Sequence, residues 1–133
     1  MIIGIGIDVV RIDRIERVLE HFGDRFRHRV FTVREQRRAD GFNDFPGYYA
    51  KRWAAKEACA KALGTGMRKG VAWRNIEVES RPGGMPTLKL HGAALARLQY
   101  LTPRGCKFHT HLSMTDDRPV ASAIVVIEAL PRK

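Results

Sequence analysis

Two acidic residues and a lysine are the side chains of this 133-residue sequence best suited to act on a phosphorylated substrate. Asp8 lies in the segment GIGID, and Glu57 precedes Lys61 by four residues in an alanine-rich segment. Magnesium binds one or two carboxylates and takes its other ligands from water and phosphate oxygens. If Asp8 and Glu57 meet, they predict a magnesium site with a cation one helical turn away. Taken separately, Asp8 is typical of a surface carboxylate, and Glu57 with Lys61 is typical of an ordinary ion pair on a helix.

The elements that carry these residues are predicted to pack against each other. Residues 2–10 alternate as a strand, with apolar side chains on one face and Asp8 with two glycines on the other. A helix rich in alanine is predicted from about 46 to 63 and closed by Gly64. Its small side chains suit close packing on the glycine face of the strand. That packing would bring Glu57 towards Asp8.

The remaining segments predict one compact domain, over residues 1–133, of the α+β class. The other predicted elements are a helix capped by Asp13 and stopped by Gly23, a helical segment around Phe26, a helix opened by Thr32 and Glu35, a hairpin about the turn RPGGMP, a helix from Gly92 to about Leu101, and strands over 107–113 and 120–128. We expect an antiparallel-rich sheet with the long alanine-rich helix packed on it. The last strand is apolar enough to predict burial on both faces.

The composition limits the classes of partner and compartment. The 24 basic residues outnumber the 14 acidic ones and give a formal net charge of +10, which favours an anionic partner. Nucleic acid, membrane headgroups, nucleotide phosphates and an acidic protein all qualify. Two cysteines, no basic leader and no long apolar run predict a cytoplasmic protein that does not span a membrane.

The arginine-rich early helices leave a second class of function open, a basic RNA-binding protein without catalytic activity. Binding of single-stranded RNA normally places aromatic side chains on a sheet, where they stack with bases. Among the predicted strands only Trp73 and Phe108 could do so. A basic helix can equally dock an acidic helix of a protein partner.

Three segments together carry a family resemblance: GIGIDVVRIDRIE over 4–16, RWAAKEACAKALGTG over 52–66 and SMTDDRPVASAIVVIE over 113–128. They resemble the holo-acyl-carrier-protein synthases, which are phosphopantetheinyl transferases. The resemblance implies Mg²⁺-dependent transfer of 4'-phosphopantetheine from coenzyme A to a serine of apo acyl carrier protein. It further implies a homotrimer with active sites shared between neighbours, and neither nucleic acid nor a membrane as partner.

The resemblance also assigns residues to roles. It implies that Asp8 and Glu57 bind the metal and that Glu57 and Lys61 are catalytic. The residues implied for coenzyme A are Arg52, Lys61, Gly64, Thr65 and Gly66. Those implied for docking of the carrier protein are Arg14, Arg25, Phe26 and Arg29.

The sequence departs from the family pattern at two positions. Asp116 follows Thr115 where relatives often carry a histidine, and Arg37 stands where some relatives have an aspartate proposed to receive the serine proton. Removal of that proton is therefore assigned to a metal-proximal water or a carboxylate, with Glu57 as one candidate.

Overall fold

A computed structural model describes residues 1–133 as a mixture of helices and antiparallel strands. The strands are β1 (Ile2–Arg11), β2 (Ile76–Ser80), β3 (Pro86–Leu90), β4 (Cys106–Asp117) and β5 (Val120–Pro131). The helices are α1 (Ile12–Phe22), α2 (Asp24–Val30), α3 (Val33–Ala39), α4 (Phe45–Ala62) and α5 (Gly92–Leu101), with a 3₁₀ helix over Trp73–Asn75. The predicted α+β class is confirmed.

The strands form two antiparallel sheets. One has the order β1-β5-β4, and the other is the hairpin of β2 and β3. In the larger sheet, Asp8 of β1 lies opposite Ala123 of β5. Helix α4 packs across β1 and β5, so the predicted placement of the long helix on the sheet is also confirmed.

Two glycines of β1 allow α4 to approach the sheet at backbone distance. A methyl group built on Gly6 would overlap the carbonyl oxygen of Ala58, and one built on Gly4 would overlap that of Ala62. Side chains at these two positions would push the helix away from the strand. The predicted contact between the glycine face of β1 and the alanine-rich helix is therefore confirmed.

Strand β5 is buried on one face only, so the prediction of burial on both faces is wrong. Ala123, Val125 and Ile127 are at most 3% exposed beneath α4, whereas Ile124 on the opposite face is 38% exposed. The apolar composition of β5 arises because one face meets the helix while the other adjoins the exposed apolar side of β1.

Helix capping follows the sequence at one helix and departs from it at another. The amide of Thr32 donates to Glu35 Oε1 at 2.8 Å and the amide of Glu35 donates to Thr32 Oγ1 at 3.3 Å, which forms the predicted capping box. Asp13 is not the cap of α1, because the helix begins at Ile12 and Asp13 lies within its first turn. The carboxylate of Asp13 instead accepts a hydrogen bond from Arg11 at 3.2 Å.

A fully buried ion pair joins α3 to α4 beneath the surface. The side chains of Glu35 and Lys56 are both 0% exposed, and Lys56 Nζ lies 2.8 Å from Glu35 Oε1. Lys56 also donates to the carbonyls of Trp73, at 3.2 Å, and Ile76, while Glu35 Oε2 accepts from the amide of Val78 at 2.9 Å. The sequence analysis did not predict this pair. It ties two helices to the 3₁₀ helix and β2.

Two features bear on the predicted compartment. Both cysteines are free thiols, and burial raises the pKa of Cys59 to about 12. None of the helices combines the length and apolar composition needed to cross a membrane. The cytoplasmic location itself stays a prediction.

Candidate active site

Asp8, which the sequence analysis assigned to the metal site, lies at the junction of β1 and α4. Its carboxylate is 15% exposed, and Asp8 Oδ1 lies 3.0 Å from Lys61 Nζ. Lys61 also donates to the carbonyl of Ile7 at 3.0 Å, and its side chain is 51% exposed. The structure thus brings together a strand carboxylate and a helix cation that lie 53 residues apart in sequence.

Glu57 lies beside this pair with its carboxylate unpaired. Burial and then the nearby negative charge of Asp8 raise the pKa of Glu57, while the charges of Lys61 and Arg14 oppose that rise. No chain donor hydrogen-bonds its carboxylate. A bound cation would relieve the repulsion between these two acidic groups, one of which is partly buried and unpaired.

The chain holds no cluster of metal-binding side chains larger than a pair. No group of three or more His, Cys, Asp or Glu side chains comes together anywhere in residues 1–133. A two-carboxylate donor set is too small for a closed zinc site and matches the way proteins hold Mg²⁺ alongside a phosphorylated substrate.

The turn that follows α4 has its backbone donors already in use. The amide of Gly64 donates to the carbonyl of Lys61 at 2.9 Å, and those of Thr65 and Gly66 donate to Ala60 at 3.3 and 3.1 Å. The hydroxyl of Thr65 donates to the carbonyl of Gly66 at 2.8 Å. The three predicted coenzyme A residues Gly64, Thr65 and Gly66 therefore form a rigid turn with no free amide.

Arg52 lies on another side of α4 from the Asp8 pair. It is 7% exposed, its guanidinium carbon is 3.6 Å from the ring centre of Tyr48, and its Nε has no hydrogen-bond partner. Burial lowers the pKa of Arg52, and nearby Tyr48 and Glu35 oppose that shift. Within one chain the structure does not bring Arg52 to Asp8, although the resemblance implies that both serve coenzyme A.

Three of the four predicted docking residues line an apolar cavity of about 330 Å³ between α1, α2 and α4, and Arg14 does not. Arg25, Phe26 and Arg29 are among its walls, together with Trp53 and Trp73, whose rings stack at 4.2 Å. The sequence analysis did not assign Trp53 or Trp73 to this surface. No pattern in the sequence indicates that the rings of Trp53 and Trp73, 20 residues apart, would stack.

Comparison with known proteins decides the family. The family described as the 4'-phosphopantetheinyl transferase superfamily matches residues 4–121 of the chain. This chain belongs to that superfamily. The resemblance to holo-acyl-carrier-protein synthases is therefore confirmed, and the chain is an enzyme of the phosphopantetheinyl transferase class.

The superfamily relatives match along nearly the whole chain. A holo-acyl-carrier-protein synthase of Dinoroseobacter shibae is 59% identical over 131 residues, which cover 98% of this chain and 94% of that protein. The crystal structure of the Neisseria meningitidis enzyme is 40% identical, with a TM-score of 0.82 over 96% of this chain and 99% of that one. The Helicobacter pylori enzyme, solved in complex with coenzyme A, is 29% identical, with a TM-score of 0.79 over 93% of this chain and 99% of that one.

The largest cavity of this transferase lies away from the site. It measures about 690 Å³ and is lined by residues of α2, α3 and the start of α4, including Arg27, Arg37 and Tyr49. None of the predicted catalytic, metal or coenzyme A residues reaches it. Asp8, Glu57 and Lys61 lie elsewhere, at the junction of β1 and α4.

Proposed function

We propose that Asp8 and Glu57 hold Mg²⁺ while this transferase moves 4'-phosphopantetheine from coenzyme A to a serine of apo acyl carrier protein. The observation that carries the proposal is the unpaired, partly buried carboxylate of Glu57 beside Asp8. Transfer between these two substrates is supported by the family and by the coenzyme A complex of the Helicobacter pylori relative.

Different residues of the chain are proposed to serve different parts of the transfer. The serine oxygen attacks the phosphorus that bears pantetheine, the bond from that phosphorus to the adenosine bisphosphate group breaks, and the hydroxyl proton must leave. Lys61 offsets charge that develops on the phosphate oxygens. The proton goes to a metal-proximal water or a carboxylate, with Glu57 as one candidate. When bound, the metal supplies Lewis-acid polarisation of the phosphate.

A direct assay tests the function. The purified chain is mixed with apo carrier protein, coenzyme A and Mg²⁺, and the carrier is weighed by mass spectrometry. We expect the gain of one phosphopantetheine per carrier, and its loss when a chelator removes the metal. A competent carrier that gains no mass would overturn the transfer, whereas full transfer without divalent cation would overturn the metal assignment alone.

The carrier protein is proposed to dock on the apolar cavity between α1, α2 and α4. Arg25 and Arg29 are exposed beside apolar walls that include Phe26, which suits an acidic helix with apolar side chains on one face. Arg14 lies close enough to Glu57 for its charge to act on that carboxylate. Of the four predicted docking residues, Arg14 is therefore the one that lies beside the proposed metal site.

Charge reversal at Arg25 tests this surface better than reversal at Arg14, because Arg14 also acts on Glu57. We expect Arg25→Glu to raise the KM for the carrier by about tenfold and to weaken its salt dependence, since like charge opposes an acidic partner. The KM for coenzyme A should stay unchanged. Arg104→Glu, an equal change of charge on an exposed loop, is the matched control. Equal effects of both variants would contradict the docking surface.

The homotrimer implied by the sequence remains a proposal, which the outer face of β1 supports. Ile5, Ile7 and Val9 are 60–64% exposed, and Ile7 pairs across the sheet with the exposed Ile124. Contiguous exposed apolar side chains mark an interface. Further copies of the chain are the proposed occupants of this face.

Substitution of Ile7 by aspartate should dissociate the assembly. We expect sedimentation equilibrium to give three times the 15.1 kDa chain mass for the wild type and one chain mass for Ile7→Asp. Transfer activity should fall with the loss of assembly because each site is shared. Val33→Asp, at a similarly exposed apolar residue of α3, is the control. A wild type that sediments as one chain would refute the proposed trimer.

The alternative function, RNA binding without catalysis, lacks its structural requirement. Trp73 stacks on Trp53, and Phe108 packs partly buried against the core, so neither presents an open ring on a sheet for a base. The basic surface is accounted for by the acidic carrier and the phosphates of coenzyme A.

A further inference from the structure

The turn after α4 is a poor phosphate site by its backbone alone. Its amides donate back into the helix, as described above, and a helix C-terminus carries a partial negative charge. A phosphate placed against Gly64 would therefore find no free amide and an opposing field. Any attraction for a phosphate at this turn must therefore come from cationic side chains.

One cation is anchored over this turn from another element. Arg97 of α5 donates through Nε to the carbonyl of Leu63 at 2.9 Å. Its Nη2 lies 3.5 Å from the position that a Cβ on Gly64 would occupy. No carboxylate lies within 4.0 Å of its guanidinium, so the charge is uncompensated by any acidic partner. Four of its five N–H donors stay unused by the chain.

The other cations near the turn are less suited to this position. Lys61 already contacts Asp8 and the carbonyl of Ile7. Arg68 and Lys69 follow the turn but are exposed, and their side chains make no hydrogen bond to it. Arg97 alone is fixed to the turn and still has donors to offer.

We propose that Arg97 is a positioning residue that binds a phosphate of coenzyme A at the turn over Gly64–Gly66. This inference rests on the proposed function. The bond from Nε satisfies the carbonyl of Leu63, a buried residue at the end of α4, and Nη2 lies on the side where Gly64 has no side chain. One guanidinium thereby removes the negative end of α4 and replaces it with a fork that matches phosphate oxygens.

Three variants separate the contact with phosphate from the contact with Leu63. Arg97→Gln keeps a donor for the carbonyl but loses the charge, Arg97→Lys keeps the charge but not the fork, and Arg97→Ala loses both. Arg81→Ala removes an equal charge from an exposed turn and is the control. Calorimetry measures the Kd of coenzyme A, steady-state assays give KM and kcat, and thermal unfolding gives Tm.

We expect Arg97→Gln to raise the Kd and KM for coenzyme A by about tenfold, the range for a lost charged hydrogen bond, with kcat within about twofold of wild type. Arg97→Lys should recover part of the affinity. Unchanged Kd with a lowered Tm in Arg97→Ala would show a purely structural cap and overturn the inference, as would an equal loss in Arg81→Ala. A wild type that fails to modify the carrier would instead overturn the proposed function itself.

Discussion

Replacement of Asp8 by alanine is expected to lower the rate of phosphopantetheine transfer by at least about 1000-fold, or about 4 kcal/mol of transition-state stabilisation. The variant loses one of two carboxylates proposed for Mg²⁺ and frees Lys61 from its contact at 3.0 Å. Initial rates of mass gain by the carrier measure the effect. Titration with Mg²⁺ should show weakened metal binding independently of activity.

Two further variants make the Asp8 result specific. Asp8→Asn preserves the shape of the side chain but removes the charge, and it should lose nearly as much activity as Asp8→Ala. Asp40→Ala removes an exposed acid outside the Asp8 junction and should retain the wild-type rate. Retention of more than a tenth of the wild-type rate by Asp8→Ala would contradict a direct role in the transfer.

Replacement of Lys56 by methionine is expected to lower the free energy of unfolding by about 3–5 kcal/mol, the usual cost of leaving a buried charge without its partner. Methionine has a similar volume, but the side chain of Glu35 would lose its cationic partner at a position with 0% exposure. Burial lowers the pKa of Lys56, and the negative charge of Glu35 opposes this, so the carboxylate supports the charged state of the lysine. Urea unfolding at fixed protein concentration measures the loss.

The double variant Glu35→Gln with Lys56→Met should regain most of that stability, because no uncompensated charge remains. Lys51→Met is the matched control, since Lys51 pairs with Asp116 at 3.1 Å near the surface and should cost under about 1 kcal/mol. If Lys56→Met were no less stable than Lys51→Met, the buried pair would not hold α3 and α4 together as described.

The closeness of Asp8 and Glu57 could be predicted from the sequence because two local patterns fit each other. Glycines alternate with Asp8 on a strand, and alanines surround Glu57 on a helix, so close packing of the two elements follows from the lack of side-chain volume. The end of α1 at Gly23 and the capping box of Thr32 were predictable for the same reason, since each is decided by neighbouring residues.

Features that depend on distant residues could not be predicted in this way. The sequence around Glu35 indicates the acidic residue of a capping box. The neighbouring residues do not indicate that its Oε1 contacts Lys56 or that its Oε2 accepts a hydrogen bond from the amide of Val78. The sequence around Arg97 likewise indicates only an ordinary arginine on a helix surface. Its contact with the end of α4 depends on the tertiary packing of α5. The exposure of one face of β5 was missed because apolar composition alone does not show what covers a strand.

The glycines of β1 also determine how the enzyme tolerates change elsewhere. Because Gly4 and Gly6 meet the carbonyls of Ala62 and Ala58 directly, main-chain atoms act as the spacer between strand and helix. The placement of Asp8 relative to Glu57 therefore depends on direct backbone contact between β1 and α4 rather than on side chains packed between them.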